Sequence, residues 1–243
     1  MVLLLDEVGT KRVVGAVPNS AEVTVPLSAE DDNLAGNIVV SDTGKNRIET
    51  FSPSGKLLRS WGRPGIAVGD LGNPAKLAVD EQGHILVDDP LDYRVSVFTP
   101  TGKPLRYWNT GTYWSAWSYG QCGCDITLDA SGNVYLGTND KVVETSPAGV
   151  PQRSWGTPGI GRGKFFALGG VALDKQGNVY TTDRVENTLQ VFSPSGKLLA
   201  YWTRLGARGP RFSALGDLTV DGQGNIYVLN GAQLVELAPL ASR

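Results

Sequence analysis

The sequence predicts an all-β fold, a β-propeller built from antiparallel four-stranded blades. Its composition is typical of short strands joined by tight turns, with 31 glycines, 14 prolines and one methionine in 243 residues. Apolar and polar residues alternate in pairs such as Val95 and Val97, as in a half-buried strand. One unit also recurs at steps of 47 residues, marked by Trp61, Trp108, Trp155 and Trp202. A repeat of this length is the size of a propeller blade.

Each copy of the repeat predicts four strands in a fixed order. In the copy that ends at Trp202, an apolar first strand at residues 171–173 leads through the turn "DKQG" to a second strand at residues 178–182. A third strand at residues 188–192 and a "SPSGK" turn then precede the fourth strand. A β-sandwich does not ordinarily repeat one unit four times over, so the repeat favours a propeller.

The stretch "NIVVSDTGKNRIETFSPSGKLLRSWG" resembles an NHL repeat, and the resemblance extends over nearly the whole chain. Aspartate at the end of the second strand, followed by Asn-Arg at the start of the third, occurs at Asp42, Asn46 and Arg47. Partial matches occur at Asp89 with Arg94 and at Asp183 with Asn187, and the pattern decays at Thr138, Lys141 and Asn230. The resemblance implies one propeller domain over residues 1–243, because these blades most often close as six-bladed rings.

The number of blades depends on the N-terminus. The segments "VLLLD" and "KRVVGAVP" resemble the second and third strands of a unit, which favours six blades. The step from Pro18 to Pro53 is only 35 residues, however, so five blades are a close alternative. In either count we expect closure between the N- and C-termini, because an open sheet edge invites association.

Charge and composition limit the classes of partner that the chain can bind. A net charge of −2 and a pI near 5.5 provide no basic field, which argues against nucleic acid. The start "MVLLLDEVGTKR" has too few apolar residues for a signal peptide or a membrane span, so we expect a soluble chain. The sequence does not indicate its cellular compartment. Cys122 and Cys124 are either a redox pair or two free thiols, and with one histidine they cannot complete a structural zinc site. The sequence gives no oligomeric state.

The loops that join one blade to the next carry the candidate ligand-binding residues, because loops on a rigid scaffold vary freely. The loop "NTGTYWSAWSYGQCGCD" contains aromatic residues outside the blade pattern. Arginine beside aromatic residues is typical of binding hot spots and sugar-stacking platforms. The predicted set is Tyr113, Trp114, Trp117, Tyr119, Arg63, Arg162, Arg204, Arg208 and Arg211. A lid over the central opening is the alternative for the aromatic loop, and Leu71, Phe166 and Phe212 are predicted to be apolar plugs.

The sequence favours a non-enzyme and names no catalytic residue. The single histidine, His84, occupies the asparagine position of a "GN" turn, which indicates a surface substitution. We expect no cofactor, with calcium on Asp42, Asp88, Asp89, Asp183 and Asn230 as the alternative to turn capping. The leading hypothesis is a propeller that binds a protein, peptide or glycan through its interblade-loop face. The resemblance keeps one alternative open, a metal-dependent, calcium-type lactonase or lyase with a central-channel site. The abrupt termini suggest a second, a structural repeat segment of a larger protein.

Overall fold

The computed structural model describes residues 2–5, 11–14, 21–24, 37–110, 125–204 and 211–240. They form an all-β fold, a five-bladed β-propeller with antiparallel blades of up to four strands. In every complete blade the strands pair in chain order, from first to fourth. The described residues fall into two compact units, the first with blades 1 and 2 and the second with blades 3, 4 and 5.

The first unit contains a hairpin and two complete blades. The hairpin consists of β1 (Val2–Leu5) and β2 (Lys11–Val14). Blade 1 consists of β3 (Ala21–Thr24), β4 (Ile38–Asp42), β5 (Arg47–Phe51) and β6 (Leu57–Trp61), with a short 3-10 helix at Thr43–Lys45. Blade 2 consists of β7 (Lys76–Val79), β8 (Ile85–Asp89), β9 (Arg94–Phe98) and β10 (Pro104–Asn109).

The second unit contains two complete blades and a three-stranded one. Blade 3 consists of β11 (Asp125–Leu128), β12 (Val134–Gly137), β13 (Val142–Thr145) and β14 (Pro151–Trp155). A short parallel pair follows, β15 (Thr157–Pro158) and β16 (Lys164–Phe165). Blade 4 consists of β17 (Leu168–Leu173), β18 (Val179–Asp183), β19 (Thr188–Phe192) and β20 (Leu198–Trp202). Blade 5 consists of β21 (Leu215–Val220), β22 (Ile226–Asn230) and β23 (Gln233–Leu237).

The blade count is five rather than the favoured six, and it matches the alternative that the sequence left open. Strands β1 and β2 do pair as the sequence predicts, with Val2 opposite Val14, but they form a two-stranded sheet. Strand β3 pairs with β4 as the first strand of blade 1, with Ala21 opposite Asp42. The short segment between the hairpin and blade 1 therefore provides the first strand of blade 1. Among the described residues, the sheet of the hairpin contains only β1 and β2.

An aspartate closes the turn between the first and second strands. In blade 4 the Asp174 carboxylate accepts hydrogen bonds from the backbone N–H of Gln176 and Asn178, from the Asn178 side chain and from the Tyr180 hydroxyl, at 2.8 to 3.1 Å. Asp221 repeats this arrangement in blade 5. Burial, and then the charge of Asp174, raise the pKa of Tyr180, so its hydroxyl remains a donor.

Two of the repeated tryptophans, Trp61 and Trp155, pack on glycines of the next blade, which confirms the predicted packing role for these two. Trp61 lies against Gly102, where an added Cβ would be 2.5 Å from the ring, and Trp155 lies against Gly196. Both glycines have positive φ and end the turn before the fourth strand. Apolar clusters accompany these contacts, and one of them joins Ile48 of blade 1 to Phe98 of blade 2. Neighbouring blades of one unit therefore bury apolar side chains against each other.

Helices contribute little to this fold. No helix in the described ranges is both long enough and apolar enough to cross a membrane.

Candidate functional site

Sheet topology places two kinds of loop at the same end of each blade. Since the four strands alternate in direction, the turn between the second and third strands lies at the end where the interblade loop arrives. We call this end the loop end of a unit. In the second unit its described part comprises the loops at residues 156–167, 203–204 and 211–214, and the turns at 138–141, 183–187 and 230–232.

A side chain at the end of the second strand anchors the interblade loop in three blades, and it is buried in blades 2 and 4 and half-buried in blade 5. In blade 2 the Asp89 carboxylate accepts the backbone N–H of Gly72 at 2.6 Å and of Asn73 at 2.7 Å. In blade 4 Asp183 accepts the N–H of Phe166 and Ala167 at 2.7 and 3.0 Å. In blade 5 the amide oxygen of Asn230 accepts the N–H of Ser213 and Ala214 at 2.9 and 3.3 Å. We call this arrangement the loop anchor.

The repeated aspartates are engaged by groups of the protein itself, in the loop anchor at Asp89 and Asp183 and in ion pairs at Asp42. Asp183 uses its second oxygen to accept the N–H of Val185 and Glu186, at 2.9 and 2.8 Å. Asp42 instead pairs with Lys45 and Arg47. In the part of the chain that the structure describes, no group of three acidic, histidine or cysteine side chains is placed to hold a metal ion. The contacts of Asp42, Asp89, Asp183 and Asn230 are those of turn capping and pairing, and the expectation of no cofactor stays a prediction.

The buried anchor of blade 2 should make stability depend on pH. Burial raises the pKa of Asp89 above the ordinary carboxyl value of 3.8, although the N–H groups of Gly72 and Asn73 act in the opposite direction. A raised pKa means that the folded state holds the proton more tightly than the unfolded chain, so this stabilising contribution is complete below pH 3.8 and is lost as pH rises through the raised value. Relative to Asp89→Asn, the wild type should therefore lose stability across that window.

Urea unfolding of both proteins at a series of pH values measures this difference. Asn230 already serves as an anchor in blade 5, so asparagine is a suitable neutral reference. A stability difference that grows in favour of the wild type as pH rises through the same window would contradict the prediction.

The interblade loop of the first unit is held by arginines. Arg94, buried in β9, donates to the carbonyls of Ile66 at 2.9 Å and of Asp70 at 2.6 Å. Arg63 pairs with the Asp70 carboxylate at 2.7 Å, and this hydrogen bond lowers the pKa of Asp70. The predicted binding residue Arg63 is therefore engaged by its own loop. Leu71 is fully buried beneath it, as the sequence predicts for a plug.

The interblade loop before blade 4 is held by a short strand pair and by the side chains of Glu186 and Gln190. Strands β15 and β16 close it at the base, and the carboxylate of Glu186 accepts the backbone N–H of Gly161 at 2.8 and 3.0 Å. The buried amide of Gln190 accepts the N–H of Gly163 and donates to the carbonyl of Lys164, both at 2.8 Å. The backbone of this loop is thus fixed at its base and at its tip.

The plug of this loop is Phe165 rather than the predicted Phe166. Phe165 is fully buried against Gly156, where an added Cβ would lie 2.6 Å from the ring. Phe166 faces solvent with 60% of its surface exposed. Strand β16 ends at Phe165, so the buried side chain is the last of the strand and the exposed one is the first of the bend that follows. Phe212, the third predicted plug, is buried.

Apolar side chains remain exposed on both of these fixed loops. Ile66 is 84% exposed in the first unit and Ile160 is 68% exposed in the second. Each follows a Pro-Gly pair, and the two "PGI" segments are two repeat steps apart. Leu91 and Val185 are exposed in the corresponding turns between second and third strands. Sequence reasoning missed these residues, although the repeated "PGI" was a signal that could have found the isoleucines.

The loop end of the second unit also carries cations without a carboxylate partner among the described residues. Among the described residues, no carboxylate lies within 4.0 Å of the charged groups of Arg162, Lys164, Arg204 or Arg211. Arg162 instead lies over the Tyr201 ring, 5.4 Å from its centroid. Arg204 and Arg211 are backbone partners in an isolated antiparallel β-bridge. Arg204 follows Tyr201 by three residues, so the Cα atoms of these two residues are at most about 10 Å apart. By contrast, Arg153 on an outer strand is paired with Glu144 at 2.7 Å.

The structure therefore places the predicted site residues unevenly. Arg162, Arg204 and Arg211 lie at the loop end of the second unit, and Arg63 lies in the first unit. The remaining predicted binding residues, Tyr113, Trp114, Trp117, Tyr119 and Arg208, lie outside the described residues, as do Cys122 and Cys124. Arg184 was not predicted, yet it is exposed beside Val185 and donates to the carbonyl of Gly169.

His84 lies at the end of its blade opposite the loop end. It follows the turn between β7 and β8, and its Nδ1 lies 2.9 Å from the Asp80 carboxylate. Asparagine makes the same contact to aspartate in blades 4 and 5. These contacts agree with a structural substitution in the turn.

The blade order and the recurring loops define the β-propeller class, and known structures share this fold. A protein of unknown function from Bacteroides caccae is 16% identical, with a TM-score of 0.58 over 85% of this chain and 70% of that one. Virginiamycin B lyase from Staphylococcus aureus is 14% identical, with a TM-score of 0.58 over 96% of this chain and 74% of that one. A catalytically inactive histidine-to-alanine variant of that lyase with quinupristin gives 14% identity and a TM-score of 0.59, over 94% and 73% of the two chains.

These identities are low enough that the likeness shows the fold alone. No family model and no curated protein matches the sequence. The resemblance to NHL repeats stays a prediction.

Proposed function

We propose that this chain is a non-catalytic propeller that binds a protein, peptide or glycan ligand through its interblade loops. The observation that carries the proposal is the loop end of the second unit, where exposed apolar groups and cations without carboxylate partners lie on a fixed backbone. Exposed arginines beside aromatic and aliphatic groups are the chemistry of binding hot spots. Fixed loops also lose little conformational entropy when a ligand binds.

The rival function is that of a lyase, and it is favoured by the fold shared with virginiamycin B lyase. A histidine-to-alanine variant of that enzyme is catalytically inactive. The only histidine of this chain, His84, is engaged with Asp80 at the end away from the interblade loops. We therefore favour binding over catalysis. Incubation with quinupristin tests the rival directly, and we expect no loss of the compound by mass spectrometry.

Removing a cation from the loop end should weaken ligand binding. We expect Arg162→Ala and Arg211→Ala each to weaken binding to the best ligand by about fivefold to thirtyfold, the usual cost of truncating a hot-spot residue. Trp114→Ala and Trp117→Ala test the aromatic loop in the same way. The measurement is an affinity screen of the wild type on protein, peptide and glycan arrays, followed by titration of each variant.

Lys197→Ala is the matched control, because Lys197 is an exposed cation in the turn at the opposite end of blade 4. Its affinity should stay within about twofold of the wild type, as for most surface substitutions. Equal affinities for the wild type, the loop variants and the control would reject the interblade loops as the binding surface.

A further inference from the structure

We propose that the loop end of the second unit recognises an acidic peptide segment that also carries aliphatic side chains. This inference rests on the proposed function and names its ligand class. It depends on the charge balance, the exposed apolar groups and the fixed backbone of one loop and the turn beside it.

The cations at this end outnumber the carboxylates. Its described carboxylates are those of Asp140, Asp183 and Glu186, and its described cations are Lys141, Arg162, Lys164, Arg184, Arg204 and Arg211. This local excess of positive charge contrasts with the net charge of −2 of the chain.

The carboxylates are moreover already engaged by the protein itself. Asp183 accepts four backbone N–H groups, and Glu186 accepts that of Gly161. Asp140 accepts the hydroxyl of Thr138 at 3.2 Å. Arg162, Lys164, Arg204 and Arg211 have no carboxylate partner among the described residues. An incoming carboxylate would therefore meet guanidinium and ammonium groups without displacing an internal anion.

The apolar groups distinguish a peptide from other anionic ligands. Ile160, Phe166 and Val185 are 68%, 60% and 58% exposed, and two of these three are aliphatic. Bases and sugar rings stack on flat aromatic or guanidinium faces, whereas branched aliphatic groups pack with the apolar side chains of a protein. Aliphatic groups among arginines thus favour a polypeptide that combines acidic and apolar residues.

The loop that presents these groups is held before any ligand arrives. The parallel pair β15–β16, the Glu186 contact and the two Gln190 hydrogen bonds fix its backbone. An exposed isoleucine follows the same Pro-Gly pair in the first unit, where other side chains hold the loop. The exposure of the isoleucine is therefore a recurring product of the loop conformation.

The experiment is selection from a phage-displayed library of random dodecamer peptides on immobilised full-length chain. The most enriched peptide is then labelled with fluorescein and titrated by fluorescence anisotropy at low and moderate salt. We expect aspartate and glutamate to be enriched over lysine and arginine, together with leucine, isoleucine or valine. The double variant Arg162→Glu/Arg211→Glu should weaken binding by about tenfold or more, and added salt should weaken wild-type binding.

Two matched controls separate the surface from general effects. Ile160→Ser should weaken binding by about fivefold, while Val150→Ser, at a similarly exposed position of blade 3, should change it less than twofold. Lys197→Glu controls for charge reversal. A copy of the peptide with lysine in place of its acidic residues should bind the double variant more tightly than it binds the wild type.

Each other outcome overturns the inference. Enriched peptides without an acidic bias, or acidic peptides that bind the double variant unchanged, reject the acidic class and leave the proposed function standing. Tighter binding of a glycan or of oligothymidylate than of any peptide also rejects it. Failure of every protein, peptide and glycan probe to bind rejects the inference and the proposed function together.

Discussion

Replacing Gly102 by alanine should destabilise the fold by about 3 kcal/mol or more. Gly102 has φ +86, a conformation that costs an L residue about 1 kcal/mol or more, and the new Cβ would lie 2.5 to 2.7 Å from three ring atoms of Trp61. The ring is confined, since it packs on Phe98 with centroids 4.4 Å apart. The remaining cost therefore comes from overpacking at the contact between blades 1 and 2.

The same turn in other blades provides graded controls. Gly196 has φ +82 and an added Cβ would lie 3.3 Å from Trp155, so Gly196→Ala should cost less than Gly102→Ala. Gly55 has φ +83 with nothing within 4 Å of an added Cβ, so Gly55→Ala should show the backbone cost alone, about 1 kcal/mol. Urea denaturation measures all three. Equal losses at the three positions would show that backbone conformation, not the tryptophan contact, sets the cost.

The repeat predicts the strands well because every blade is a twisted sheet that packs against its neighbours in the same way. The third strand of blade 4 spans Thr188–Phe192 as predicted, and the second strand is displaced by one residue. Alternating side chains and conserved turn geometry are local signals, so they are present in the sequence of every unit. The first strand is longer than predicted because it continues back to Leu168, where Gly169 and Gly170 interrupt the apolar pattern.

The number of blades depends on pairing between distant segments, which the local pattern does not contain. The residues at 21–24 could serve as a fourth strand or as a first strand, and only pairing with β4 decides between them. The plug had a similar ambiguity, because Phe165 and Phe166 are equally apolar and a shift of one residue reverses the side that is buried.

Only part of the candidate site could be predicted, and the reason differs from that for the blade count. Its arginines are visible in the sequence because they depart from the repeat. Whether an arginine is engaged or available depends on tertiary contacts, and Arg63 and Arg162 look alike in sequence although only Arg63 has an aspartate partner among the described residues. The exposed Ile66 and Ile160 look like core residues, because exposure is set by the loop conformation and not by residue type.

Replacing Asp183 by alanine should lower the free energy of unfolding by about 3 to 4 kcal/mol. The side chain is fully buried and accepts the backbone N–H groups of Phe166, Ala167, Val185 and Glu186. Alanine leaves these donors without their acceptor, and each unsatisfied buried donor costs about 1 to 3 kcal/mol where water cannot replace it. Because the first two donors belong to the interblade loop, the variant should also loosen the segment that carries Ile160 and Arg162.

Hydrogen exchange and urea denaturation together test both parts of this expectation. The N–H groups of Phe166 and Ala167 should lose protection, while the N–H groups of the Asp174 turn should keep theirs. Asp183→Asn should cost less than alanine, since Asn230 shows that one amide oxygen can accept both loop donors. Asp140→Ala is the control in the corresponding turn of blade 3, where the carboxylate accepts one hydroxyl, and it should cost less than about 1 kcal/mol. If Asp183→Ala cost no more than this control, the loop anchor would contribute little to holding the binding loop in place.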